Sequence, residues 1–149
     1  MDSARHLCPT ALVAAIVLAA AGCTGTRNVS DRDIESIDLE GLMGLIDHQN
    51  EEPGKHRLLL LDSRPDARYA GGHIPNARHL QTSDINAELG RDPAIDAYDD
   101  IVVYADNPGS ASAKALAKLM MSLRYDGIRW FAGGLDTWSS AGLPVAGSP

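Results

Sequence analysis

The sequence predicts an α/β fold, a mostly parallel central sheet with helices on both faces, from three observations. Short apolar runs recur along the chain. Segments with helical spacing separate them, and glycines stand at the junctions. Strands alternating with helices require crossover connections, and these make parallel sheets covered on both sides.

Taken in order, Leu39, Leu42, Met43 and Ile46 recur at helical spacing and predict a helix over 38–47. The run Leu58-Leu59-Leu60-Leu61, bounded by polar turns, predicts a strand over 57–62, and a short strand is expected over 77–80. Ile101-Val102-Val103-Tyr104 is apolar and β-branched, which suits a central strand buried on both faces. Over 112–124, Leu116, Leu119, Met120 and Leu123 share one helical face, with Lys114 and Lys118 on another. Gly127 permits a turn into a strand over 128–131. A last helix is expected from Gly134 to a glycine cap at Gly142.

The 149-residue chain is 44% hydrophobic and 22% charged, ordinary values for a globular protein, with a net charge of −7. An acidic surface with no basic stripe disfavours nucleic acid, which is not expected as a partner. The two cysteines, Cys8 and Cys23, precede the globular part, so neither a disulfide framework nor a cysteine-rich metal site is expected there. The five histidines show no metal-ligand spacing, and no metal or cofactor is expected.

The amino terminus carries Arg5 and then about fifteen mostly apolar residues, the pattern of a signal peptide over 1–22. It ends Leu18-Ala19-Ala20-Ala21-Gly22-Cys23, which resembles the lipobox of bacterial lipoproteins, although Ala20 stands where that box usually has leucine. The resemblance implies acylation of Cys23 and a place in the cell envelope, lipid-anchored to membrane and facing the periplasm or exterior. An ordinary signal cleaved after Ala19-x-Ala21 is the alternative. Residues 23–33 read as a polar tether and 34–146 as the folded domain.

Three segments in that domain carry chemical information. The first runs Leu61-Asp62-Ser63-Arg64-Pro65-Asp66-Ala67-Arg68-Tyr69-Ala70-Gly71-Gly72-His73-Ile74-Pro75-Asn76-Ala77. The second is Ile101 to Tyr104 with the loop that follows. The third is Trp130-Phe131-Ala132-Gly133-Gly134-Leu135-Asp136-Thr137-Trp138, closing with Ala141-Gly142-Leu143-Pro144-Val145. Together they resemble the rhodanese-like family. The resemblance implies a rhodanese-like three-layer fold whose central, mostly parallel sheet has five strands. Asp62 and Arg64 leave the end of a parallel strand, where α/β sheets build sites, and with His73 are expected as scaffold beside the site. Gly133 and Gly134 allow a sharp turn before a helix, and Trp138 supplies a large core anchor.

In sulfur-transferring members of that family, the loop after the central strand begins with a cysteine whose thiolate carries sulfur as a persulfide. The corresponding stretch here is Ala105-Asp106-Asn107-Pro108-Gly109-Ser110-Ala111-Ser112, without cysteine or basic residue. Counting back from Ser112 puts the cysteine position at Asp106; counting forward from Tyr104 puts it at Ala105. The site-like loop residues are Asp106, Asn107, Gly109, Ser110 and Ser112. Asp106, Ser110 or Ser112 is expected to cap the following helix, and a carboxylate there would occupy an anion cradle and repel anionic ligands.

The leading expectation is therefore a binding or regulatory module of the envelope that is not an active sulfurtransferase. It would engage an unidentified protein partner or a small anionic ligand at the loop. The alternatives are a hydrolase-like enzyme using Asp106 as nucleophile, or a thiosulfate sulfurtransferase as the family resemblance alone would have it.

Overall fold

A computed structural model describes residues 28–147. The expected signal segment, Cys23 and the first part of the expected tether lie outside the described residues.

The strands are β1 (Glu35–Ile37), β2 (Leu58–Asp62), β3 (Arg78–His79), β4 (Asp100–Tyr104) and β5 (Ile128–Phe131). The helices are α1 (Leu39–Glu51), α2 (Asp66–Gly71), α3 (Pro93–Asp96), α4 (Ala111–Ser122) and α5 (Gly134–Ser140). The sheet order is β1-β5-β4-β2-β3, and every neighbouring pair is parallel. The expected five-stranded sheet with helices on both faces is what forms.

Period-two alternation divides the core between the faces. Leu59 and Leu61 of β2 and Ile101 and Val103 of β4 pack with Ala113, Leu116, Ala117 and Met120 of α4. Leu60, Val102, Tyr104 and Phe131 pack on the other face with Leu42 of α1 and Trp138 of α5. The all-leucine run of β2 therefore serves both layers, and β4 is buried on both sides, as a central parallel strand must be.

Element ends differ from the sequence expectation for local reasons. Asp38 caps α1 by accepting from the Gly41 amide (2.9 Å), and the helix runs past Asp47 to Glu51. His48 to Glu51 lack apolar periodicity, yet nothing breaks the helix before Pro53. Strand β1 was not foreseen: its three residues are largely exposed, and its one strand partner among the described residues is β5, far along the chain. Residues 28–33 of the expected tether are among those described. Asp31–Asp33 form a 3-10 turn, with Asp33 accepting from the Ser30 amide (2.7 Å) and Asp31 paired to Lys118 of α4 (2.7 Å). Gly142, expected to close the last helix, follows it at φ 73°, the left-handed conformation that ends helices.

Candidate functional site

In the β2–β4 register Asp62 lies opposite Tyr104, so the loops leaving these strands emerge side by side at the carboxyl edge of the sheet. After β2 the chain turns through Ser63 and Arg64 into α2. After β4 it passes through Ala105 to Ser110 into α4.

Arg64 binds these segments together. Its Nε and Nη2 donate to the fully buried Asp62 carboxylate (3.0 and 2.7 Å), and Nη2 also donates to the Gly72 carbonyl (2.6 Å). Its Nη1 points the other way, to Asp106 Oδ1 at 3.4 Å. The second Asp106 oxygen pairs with Arg68 Nη1 at 2.9 Å. Arg64 is buried (side chain 4% exposed), Asp106 lies in the mouth of the loop (23%), and Arg68 reaches in from solvent (63%). Burial alone would weaken the Arg64 cation. Hydrogen bonding and attraction from Asp62, with further attraction from Tyr104 and Asp106, outweigh it and hold its pKa above the ordinary arginine value. Tyr104, beneath the cluster, accepts the Ile74 amide (3.0 Å); burial first, then the Asp62 carboxylate, pushes its phenol well above the usual tyrosine range.

The loop backbone is fixed from the third segment. The Leu135 and Asp136 amides of α5 donate to the Ala105 and Asp106 carbonyls, each at 2.9 Å. This approach requires a glycine at 134, which has φ 59°; a Cβ there would stand 2.5 Å from both carbonyl oxygens. The Asp136 carboxylate accepts from the Asn107 side-chain amide (3.0 Å).

The expected helix cap is not what forms. Ser110 is the residue before α4 but makes no side-chain cap bond. Its hydroxyl faces the Asn107 amide (3.4 Å), and the Asn107 carboxamide oxygen accepts from the Gly109 amide (3.0 Å). Ser112 lies 3.0 Å from the Ser63 hydroxyl, which donates to the Tyr104 carbonyl (2.9 Å). Asp106 caps nothing, because two guanidiniums offer stronger, charge-assisted partners than a helix amide does. The expected carboxylate in an amide cradle is replaced by a carboxylate in a guanidinium clamp.

Of the expected scaffold residues, Asp62 and Arg64 lie at the centre. His73 sits to one side, stacked on Tyr69 (centroids 4.0 Å apart) and donating to the Tyr69 carbonyl (3.0 Å), with its backbone bridged to Ala146. The two positions weighed for the loop's first residue separate clearly. Ala105 is buried in the α4-side core, and Asp106 presents its side chain at the mouth. Sequence reasoning missed Arg68, His79 and Asp136. Arg68 had only a weak signal, as a basic residue in the short helix that opens two residues after Arg64. His79, whose Nε2 donates to the Arg64 carbonyl (2.6 Å), and Asp136 had none, because their partners are distant in sequence.

What the arrangement can do chemically follows from these partners. The Asp62, Arg64, Asp106 and Arg68 charges cancel, and the loop's Asn107 and Gly109 amides already face side-chain oxygens of the loop.

A protein-family model described as "Rhodanese-like domain" matches residues 45–141. The fold is similar to that of a Bacillus halodurans protein (22% identity, TM-score 0.61), covering 76% of this chain and 77% of that one. It is similar also to a Lactobacillus plantarum protein (26% identity, TM-score 0.57; 74% and 86% covered). The rhodanese-like domain of an Anabaena sp. protein gives 24% identity and a TM-score of 0.55, with 76% and 79% covered.

Proposed function

The chain belongs to the rhodanese-like domain family, and we propose that it acts as a binding or regulatory module of the bacterial cell envelope, without sulfurtransferase activity. One observation carries this reading. The side chain at the mouth of the loop after β4 is the Asp106 carboxylate, held on both oxygens by Arg64 and Arg68. Persulfide chemistry needs a thiolate, and residues 28–147 contain no cysteine. Of the two positions that the family resemblance offers for the cysteine, Ala105 is buried in the core and Asp106 presents its side chain at the mouth, so in this reading Asp106 stands where a thiolate would have to be. A carboxylate neutralised by two guanidiniums is also a poor nucleophile, which argues against the hydrolase-like alternative. The envelope assignment rests on the run from Leu18 to Cys23. Acyl chains on Cys23 would anchor the protein, each buried methylene contributing roughly 0.8 kcal/mol.

The test has two arms on the full chain. Given thiosulfate and cyanide, it should release no thiocyanate above the uncatalysed rate. In bacterial cells given labelled palmitate, it should take up label that Cys23→Ser abolishes. Catalytic thiocyanate formation would end the module reading, and an unlabelled chain would end the lipid-anchor reading.

A further inference from the structure

We propose that Arg64 and Arg68 form an oxyanion-binding site whose resident ligand is the chain's own Asp106 carboxylate, so that the loop is shut to free oxyanions. This deepens the module reading and rests on it, because it describes what occupies the same loop.

Three observations converge. Asp62 occupies only the Nε and Nη2 edge of Arg64, and Nη1 is left directed into the loop. Arg68, from α2, meets Asp106 Oδ2 while Arg64 meets Oδ1, so that each Asp106 oxygen has its own guanidinium. Paired donors converging on two oxygens of one planar group are the arrangement that recognises carboxylates, sulfate and phosphate. Finally, Arg64 is a buried charge fixed by Asp62 and the Gly72 carbonyl, so half of the site is built in advance of any ligand.

The charges explain why the site is closed. With Asp106 in place, two carboxylates and two guanidiniums cancel. Without its carboxylate the cluster keeps one positive charge. Asp136, which holds Asn107, is the acidic group across the loop that an incoming anion would also meet. An attached carboxylate competes at an effective concentration on the order of millimolar or higher, so a weakly bound free anion does not displace it. The ligand class for the opened site is a small inorganic oxyanion of the size and geometry of sulfate.

A nuclear magnetic resonance titration of the full chain with sodium sulfate tests this, with sodium chloride at matched ionic strength as reference. The signals followed are the Arg64 and Arg68 Nε–H groups and the amides of residues 107–110. The native chain should show no saturable shift. Asp106→Ala should gain saturable binding at least about tenfold tighter than the native chain, and adding Arg68→Ala should remove the gain. Asp106→Asn keeps the side-chain shape without the charge and should behave as Asp106→Ala does; it carries the test if the alanine variant unfolds. Native binding as tight as that of the variants would overturn the proposal, and so would variants that gain nothing or a gain that survives loss of Arg68. Thiocyanate formation by the native chain would instead reject the module reading and leave the titration result standing.

Discussion

Two arginines four residues apart hold the same carboxylate, yet burial makes their contributions unequal. Arg64→Ala strips the partner from Asp62, a carboxylate with no exposed surface. An unpaired buried charge of this kind costs about 3–5 kcal/mol. Arg68 is 63% exposed, and its pairing with Asp106 is screened by water. Arg68→Ala should cost about 1 kcal/mol or less. Urea denaturation of both variants checks this; equal losses would contradict it. Asp62 and Arg64 were legible in the sequence as a strand-end pair. The clamp on Asp106 was not, because it joins residues forty-two positions apart and depends on the relative placement of β2 and β4.

At the scale of elements, the loop after β4 takes its shape from the start of α5 more than from its own residues. The glycine at 134 was read as a turn, and its second role, room for the Ala105 and Asp106 carbonyls, appears only when α5 is set against the loop. Gly134→Ala should cost more than about 2 kcal/mol, since left-handed backbone alone costs an alanine about 1–2 kcal/mol and the methyl also meets both carbonyls. Gly142 has the same sign of φ but open space around it, so Gly142→Ala should cost only the backbone part, about 1–2 kcal/mol. Thermal and urea unfolding distinguish the two, and a penalty no larger at 134 than at 142 would show that the close approach is unimportant. The cap expected of Asp106 at the start of α4 failed for a related reason: capping propensity is local, and the guanidiniums that outcompete it come from outside the loop.

Across the whole molecule, the site and the core share a titrating residue. Tyr104 lies fully buried against Leu60, Phe131 and Trp138, and its hydroxyl accepts the Ile74 amide beneath the Asp62–Arg64 pair. Its phenol is raised above the ordinary value by burial and then by Asp62. A folded-state pKa above the unfolded one means the folded protein retains the proton longer. The associated stability is therefore complete below about pH 10 and is lost as pH rises beyond it. Tyr104→Phe should flatten the fall in stability on the alkaline side. It should also lower stability at neutral pH by about 1–3 kcal/mol, because the Ile74 amide loses its acceptor. Urea midpoints measured at stepped alkaline pH supply the comparison, and an unchanged slope would remove Tyr104 as the cause.

The sequence by itself determined the α/β class, the positions of four of the five strands, the principal helices and the family, because apolar periodicity, glycine placement and short motifs are local signals that burial amplifies. It also determined that no thiol stands in residues 28–147. Only the tertiary structure decided that β1 joins the sheet edge, that Ala105 faces the core while Asp106 faces the loop mouth, and that Asp106 is gripped by Arg64 and Arg68. Those outcomes depend on strand order and on distances between segments remote along the chain, and spacing within a segment carries no record of either.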